Sequence, residues 1–408
     1  LEEQYPPVPA NQNAAGLYLQ AAEMLEALPL PDTGVPPAAP DEAQEPLPFI
    51  GCGEPPESID ELAPFLQDRL ESYLAVNNAS LQLTYAGAEM AQARFSVDFW
   101  GIYISGAGSS LRSLSRLLSL DGLRHLVHQD SEGVVSALAA QMALERALAE
   151  QPQYYHFPVD SGLAWRTNEL LRLALANANF TAEQLRSLRG QLEQRIDQDL
   201  DCRHSFGATL VQSRTYAYEM ARMLISEDDG VGLHDEALEW LLGLVWRASG
   251  WEEDLSLTLV RGQRLLLAAC NASAEEIATG DLTPQLEELA SRSILVDFVF
   301  SYSDKTVDNV HVTRAIKSLA VLAIAIEESR LEHHSLPATL EELVPKFLDN
   351  VPIDPFSAGP MEYRPKNRGY VLYSWGPDRE DDGGMEVGVT EKGGIDYRGG
   401  DTVFRVVR

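Results

Sequence analysis

The sequence predicts a mainly α-helical protein: an antiparallel helical array, for which a solenoid is one candidate arrangement, followed by a small α+β domain. Three observations predict this fold class. Leucines recur at intervals of three and four residues through the middle of the chain, as in amphipathic helices. Serine and threonine capping patterns mark helix starts there. Near the C-terminus, β-branched and aromatic runs alternate with glycine-rich loops, which is typical of strands.

We expect three parts, with boundaries at 1–56, 57–309 and 310–408. The first is an extended arm that contains one short helix, predicted from Asn13 to Leu28 by apolar residues at helical spacing. From Pro29 to Pro56, prolines recur among acidic and small residues, a composition typical of a linker or wrapping arm.

The second part is predicted to be a succession of helices. Ser58-Ile59-Asp60-Glu61 is a capping box, in which the hydroxyl and the glutamate each satisfy a free N–H group of the first turn. Apolar stripes of this kind need partners, and short connections favour an antiparallel array, although no clean fixed-period repeat is visible. The clearest stripes contain Leu111, Leu114 and Leu118, and then Leu185, Leu188, Leu192, Ile196 and Leu200.

The third part combines helices and strands. A long helix is predicted from Val310 to His333, and Thr339-Leu340-Glu341-Glu342 predicts the start of a second, short helix. Two strands are then predicted, Tyr370–Ser374 and Thr402–Val407.

Short motifs in this third part occur in a recognisable order. After the long helix come Asp354-Pro355-Phe356, the aromatic segment Met361–Arg364, the loop Tyr373–Asp378 and finally Asp401. Together they resemble the C-terminal region of the major pseudopilins of type II secretion systems, over about 310–408. The whole chain looks like a large exported planctomycete-type protein that joins such a domain to a helical body.

The resemblance implies a calcium site. Its ligands would be Asp378 and Asp401, with Asp381 or Asp382 completing the shell and backbone carbonyls near Ser374 assisting. Calcium takes six to eight oxygen ligands, and its charge relieves repulsion among clustered carboxylates. The alternative interpretation is an acidic, solvated loop.

The charge of the chain restricts its partners. The sequence of 408 residues has 62 acidic and 31 basic side chains, for a formal net charge of -31. Such a surface repels nucleic acid and anionic membranes, so we expect no nucleic-acid partner. Two interpretations remain, a solubilising surface in a salty medium and a surface that binds cations or basic partners.

Several features favour an exported protein. The longest apolar run, Leu319–Ile326, is far shorter than the roughly 18 to 20 residues that span a bilayer, so no direct membrane insertion is expected. The proline-rich start after Leu1 predicts a trimmed product whose signal or anchor has been removed, and hence a periplasmic, cell-surface or extracellular location. The three cysteines, Cys52, Cys202 and Cys270, allow one disulfide and a free thiol, but their spacing does not select the pair.

Signatures of catalysis are sparse. The chain lacks the G-x-S-x-G and H-E-x-x-H motifs. His125 and His128 could share a helix face and bind a metal, but no nearby ligands are evident, so a polar helix surface is the favoured interpretation. Tryptophans beside carboxylates could hold and cleave a sugar, although core packing explains them more simply; they are Trp240, Trp246 and Trp251, beside Glu239, Glu252, Glu253 and Asp254.

The sequence therefore predicts an exported cell-envelope or extracellular protein with a structural or interaction role and a calcium-stabilised C-terminal domain. Protein partners or self-assembly are expected, and catalysis is not. The alternatives are an extracytoplasmic module that binds a ligand in its helical groove and, third, a carbohydrate-active hydrolase.

Overall fold

The computed structural model describes residues 8–26, 47–50, 55–96, 107–150, 157–199, 303–385 and 400–408, with isolated positions between 264 and 272. These residues form eight α-helices and one three-stranded antiparallel sheet, so the described chain is mainly helical, as predicted. The helices are α1 (Ala15–Glu23), α2 (Pro64–Val76), α3 (Asn78–Ala88), α4 (Ala107–Val127), α5 (Ser131–Ala149), α6 (Phe157–Asn177), α7 (Ala182–Asp199) and α8 (Ser303–His333). The strands are β1 (Glu362–Lys366), β2 (Gly369–Ser374) and β3 (Thr402–Val407).

The described helices pack around one leucine-rich core cluster. Helices α4, α5 and α6 contact one another, α1 lies against α3 and α4, and α8 packs on α6 and α7. The predicted stripes face these contacts, since their leucines are almost fully buried. The side chains of Ile196 and Leu200 lie outside the described residues. The confirmed members are Leu111, Leu114, Leu118, Leu185, Leu188 and Leu192.

Two predicted helix starts differ from the structure. At Ser58 the hydroxyl accepts from the Asp60 N–H at 3.3 Å, but it opens only a 3₁₀ turn, Ile59–Glu61. The α-helix begins later, at Pro64, because proline has the φ of a first helical residue and no N–H to satisfy. Helix α1 is also shorter than the predicted helix from Asn13 to Leu28.

The short helix predicted at Thr339 is likewise a single 3₁₀ turn, Leu340–Leu343. The Thr339 side chain does not cap it, and the Ala338 N–H instead donates to Glu342 at 3.1 Å. Pro345 follows directly and has no N–H with which to continue a helix, so the turn cannot extend.

The long helix α8 links the helical body to the sheet. It begins at Ser303 rather than Val310 and contacts β2 and β3 as well as α6 and α7. By length and composition, its segment Val307–His333 is the one candidate membrane span among the described residues, with a mean hydropathy of 1.4. Buried core helices meet the same criterion, and 89% of this window is buried inside the structure.

The sheet has the order β1-β2-β3, and strands β2 and β3 contact α8. Both predicted strands are confirmed. Leu372 in the central strand pairs with Tyr363 on one side and Phe404 on the other. At the end of the chain, Arg408 donates to the carbonyl of Leu175 in α6 at 2.9 Å, so the last strand is tied to the helical body.

Candidate functional site

The Asp354-Pro355-Phe356 turn is bound directly to the end of strand β2. The buried Asp354 carboxylate accepts three hydrogen bonds: from the Ser374 hydroxyl at 2.6 Å, the Phe356 N–H at 3.1 Å and the Trp375 N–H at 3.1 Å. Hydrogen bonds to a carboxylate are strong, so they hold the hydroxyl and N–H groups that donate them in place. Asp354 therefore anchors the loop that begins at Trp375.

That loop then approaches the segment before β3 closely. Gly376 has φ +73°, and a Cβ added there would lie 2.3 Å from the Gly400 carbonyl oxygen, so only glycine fits. Asp378 closes the approach, since its carboxylate accepts from the Gly400 N–H and, at 3.2 Å, from the Glu380 N–H. Asp378 thus joins the loop after β2 to the segment directly before β3.

Asp401 lies at the centre of this region and is 1% exposed. One carboxylate oxygen, Oδ2, accepts from the Gly384 N–H at 2.6 Å. The other, Oδ1, is buried and has no hydrogen-bond partner among the described residues. Burial raises the pKa of Asp401, the charges of Asp381 and Asp382 raise it further, and the N–H groups of Gly384 and Asp382 oppose the rise. The Asp401 carboxylate therefore lies near two other carboxylates, and the neighbouring N–H groups offset the rise in its pKa only in part.

Asp381 is exposed and held by neighbouring groups. It accepts from the Gly383 N–H at 2.9 Å and from the Tyr373 hydroxyl at 3.1 Å. Arg364 binds the same tyrosine hydroxyl and donates to the Gly383 carbonyl at 2.7 Å. Burial, with the hydrogen bond to Asp381, raises the pKa of Tyr373 to about 12, so its hydroxyl remains a donor at neutral pH.

The predicted ligands lie in one region of the structure, but their side chains do not meet at a single point. Within the parts of the chain that it describes, no three histidine, cysteine, aspartate or glutamate side chains come close enough together to hold a metal ion. The donor chemistry fits a hard cation at Asp401, whose buried oxygen lacks a hydrogen-bond donor. The calcium site at Asp378, Asp381, Asp382 and Asp401 stays a prediction.

Sequence reasoning did not identify the anchoring role of Asp354 or the Arg364–Tyr373 pair. In the sequence, Asp354 is recognisable only as part of the Asp354-Pro355-Phe356 turn. A signal was available, since an aspartate directly before proline commonly accepts from N–H groups two residues on. The partners supplied by Ser374 and Trp375 depend on tertiary packing and left no local pattern.

A second polar site lies in a cleft between α2, α3 and α4. The cleft has a volume of about 500 Å³ and is lined by apolar residues from α2 and α3 and by polar residues from all three helices. At one end, the buried Asp121 carboxylate accepts from the Tyr85 hydroxyl at 2.5 Å and from Arg124 at 2.5 Å. Its lining residues are Glu71, Leu74, Ala75, Asn78, Leu81, Gln82, Tyr85, Asp121, Arg124 and His125.

His125, in the last turn of α4, lines this cleft, and both it and His128, directly after the helix, face carboxylates. His125 Nδ1 lies 2.8 Å from Asp130, and its Nε2 lies 3.4 Å from Asp121. His128 Nε2 lies 2.7 Å from Glu71. The partners of His125 are thus close to it in the sequence, whereas the partner of His128 comes from α2.

Other sequence predictions fall outside the described residues. The tryptophans at Trp240, Trp246 and Trp251 lie there with their neighbouring carboxylates, as do Cys52, Cys202 and Cys270. Comparison of the chain with protein-family models, with curated proteins and with solved structures finds no match.

Proposed function

We propose that the chain is an exported cell-envelope or extracellular protein with a structural or interaction role, and that 310–408 forms a pseudopilin-like domain stabilised by calcium. The observation that carries the calcium proposal is the Oδ1 atom of Asp401, which is buried without a hydrogen-bond donor among the described residues. A buried carboxylate oxygen left in this state is costly unless a cation or another donor reaches it.

Calcium would supply the missing charge. Asp401 would give Oδ1, and Asp378, Asp381 and Asp382 would bind through side chains or lend their negative charge. The loop contains several backbone carbonyls, which are ordinary calcium ligands. Binding of this kind stabilises the folded state by mass action and fixes segments that lack regular hydrogen bonding.

An interaction role is supported by exposed apolar side chains and by the charge of the chain. Met24 and Val76 are 46% and 60% exposed, beside the point where the Glu26 N–H donates to Asn77 at 2.8 Å. The net charge of -31 favours basic partners or a screened, salty medium.

The calcium proposal is tested by thermal unfolding of three proteins in excess calcium and in chelator: wild type, Asp401→Asn and the control Asp349→Asn. Asp349 is exposed and lies outside the two loops. Wild type and control should melt at a higher temperature in calcium than in chelator. At a calcium concentration of 100 times the dissociation constant, the added stability should be about 2.7 kcal/mol. Asp401→Asn should not respond to calcium.

The difference in stability between Asp401→Asn and wild type, measured in chelator, provides a second criterion. Asparagine keeps an oxygen for the Gly384 N–H and removes the uncompensated charge, so Asp401→Asn should be at least as stable as wild type without calcium. If wild type melts at the same temperature in calcium and in chelator, the calcium proposal is wrong. A self-assembly role is tested separately by sedimentation of the full chain at increasing concentration, where a concentration-independent monomer would oppose it.

The cleft between α2, α3 and α4 favours one second candidate, a module that binds a small ligand in the helical body. Its volume of about 500 Å³ is within the range of small-molecule sites. Two of the charged residues that line it, Asp121 and Arg124, are paired with each other, which favours a neutral, polar ligand. Titration with neutral monosaccharides, followed by NMR, tests this candidate; shifts confined to 71–85 and 121–125 would support it, and unchanged spectra would oppose it.

A further inference from the structure

Two histidines lie at the end of α4, His125 in its last turn and His128 directly after Val127, and their partners lie on different elements. His125 and His128 are three positions apart, so both project from the same end of the helix. His125 faces Asp130, which precedes α5, and His128 faces Glu71 of α2. The turn that ends α4 is thus joined by imidazole–carboxylate contacts to the helices on either side of it.

His125 is fixed between its two carboxylates. Its ring lies directly over Gly133, where an added Cβ would come within 2.1 Å of Nδ1, so the ring packs on the backbone of the first turn of α5. Asp130 also caps that helix, accepting from the Gly133 N–H at 3.0 Å. The cap, the ring and the end of α4 therefore form one unit.

The protonation state of His125 decides how many of these contacts are hydrogen bonds. The imidazolium has two N–H groups, so it can donate to Asp130 through Nδ1 and point Nε2–H at Asp121. The neutral ring has one N–H, and one of the two carboxylates then loses its donor. Because Asp121 also accepts from Tyr85 of α3, the loss reaches the contact between α3 and α4.

The charged and titratable groups that face this unit come from four segments of the described chain. The groups are Asp121 and Arg124 on α4, Asp130 at the start of α5, Tyr85 on α3, and Glu71 on α2 opposite His128. The contact with Asp121 raises the pKa of His125, Asp130 adds to the rise, and burial and Arg124 oppose it. The Gly133 N–H and His125 lower the pKa of Asp130.

Burial alone would raise the pKa of Asp121, but the contacts with His125, Tyr85 and Arg124 outweigh it and lower the pKa. We propose that the C-terminal turn of α4 is a proton-dependent clamp, closed while His125 is an imidazolium between ionised Asp121 and Asp130. When closed, it holds α5 and one side of the α2–α3–α4 cleft in place.

The pH range follows from the directions of the shifts. A histidine whose pKa is raised in the folded state contributes stability that is complete below its unfolded pKa of about 6.5 and is lost as pH rises through the folded value. Aspartates whose pKa is lowered contribute above about pH 4 and lose that contribution as pH falls through the folded value. The clamp is therefore closed in mild acid and opens in mild alkali.

The test uses the full chain as wild type, His125→Gln, Asp130→Asn and the control His334→Asn. Asparagine at Asp130 still caps α5 but carries no charge, so that variant should fold even if His125→Gln does not. Asparagine at His334 suits its φ of +57° and removes an exposed histidine elsewhere. Two measurements are made at pH 6 and pH 8.5: the unfolding midpoint in urea, and hydrogen exchange of 125–134 corrected for intrinsic rates.

Wild type and His334→Asn should lose protection in 125–134 between pH 6 and pH 8.5. The two clamp variants should be less protected at pH 6 and change little with pH, and their difference from wild type in urea midpoint should shrink at pH 8.5. Equal pH profiles for wild type and Asp130→Asn would overturn the clamp, as would an unchanged wild-type exchange pattern across this range.

Discussion

Replacement of Asp354 by alanine should strongly destabilise the C-terminal domain. The carboxylate is 1% exposed and accepts from the Ser374 hydroxyl, the Phe356 N–H and the Trp375 N–H. The Ser374 hydroxyl can rotate toward another acceptor, but the two backbone N–H groups cannot. A buried donor left unsatisfied costs about 1–3 kcal/mol, and hydrogen bonds to charged groups lie at the upper end, so we expect a loss of about 3–5 kcal/mol.

Asp354→Asn keeps one acceptor oxygen and should lose less, about 1–2 kcal/mol. The matched control is Asp349→Asn, an exposed aspartate of the same domain, which should change stability by no more than about 0.5 kcal/mol. The measurement is urea unfolding followed by circular dichroism, with the slope compared between variants so that a shift in midpoint reports stability.

A double-mutant cycle isolates the contact between Asp354 and Ser374. Ser374→Ala removes the donor at 2.6 Å, and its cost should be much smaller in the Asp354→Ala background than in wild type. We expect a coupling energy of about 1–3 kcal/mol. If Asp354→Ala lies within about 0.5 kcal/mol of wild type, or if the two substitutions are additive, the account of this anchor is wrong.

Two further predictions concern the helical body and its junction with the sheet. Gly122→Ala should destabilise the protein by about 1–3 kcal/mol, because the new Cβ would lie 2.6 Å from buried Leu170. The control Gly190→Ala has open space around it and should stabilise by up to about 1 kcal/mol. Equal effects of the two substitutions in urea unfolding would refute the close approach of α4 and α6. Arg408→Ala should lower the free energy of unfolding by about 2–3 kcal/mol, because it removes the 2.5 Å ion pair with buried Glu327. The exposed control Arg368→Ala should leave stability nearly unchanged. Urea unfolding measures both variants, and protease resistance of the C-terminal strand provides a second measurement.

Strong local periodicity was sufficient to predict the leucine stripes and the last strand. Strand β3 has the predicted bounds because β-branched and aromatic residues indicate a strand and the glycines before it mark where the strand begins. The start of α8 could not be read in the same way, since Ser303–Asn309 is polar and shows no apolar period. The 3₁₀ turn at Leu340 shows the converse, a capping pattern without room for an α-helix before Pro345.

The candidate sites depended more on tertiary packing. The resemblance to pseudopilins singled out the aspartates of the loop, whose role as calcium ligands stays a prediction, but the N–H group that Asp378 takes follows from the close approach of Gly376 to Gly400. The partner of His128 could not be predicted for the same reason, since Glu71 is far away in the sequence and reaches His128 only when α2 packs on α4. The partners of His125, in contrast, are Asp121 and Asp130, which are its neighbours in the sequence. Residue types could be predicted locally, and their pairings could not.

Calorimetric titration of the full chain with calcium tests the central claim most directly. The account predicts a single class of site in wild type and in Asp349→Asn, and no detectable binding in Asp401→Asn, because only that variant removes the buried oxygen without a donor. Absence of binding in wild type, or equal binding in wild type and Asp401→Asn, would contradict a calcium-stabilised C-terminal domain.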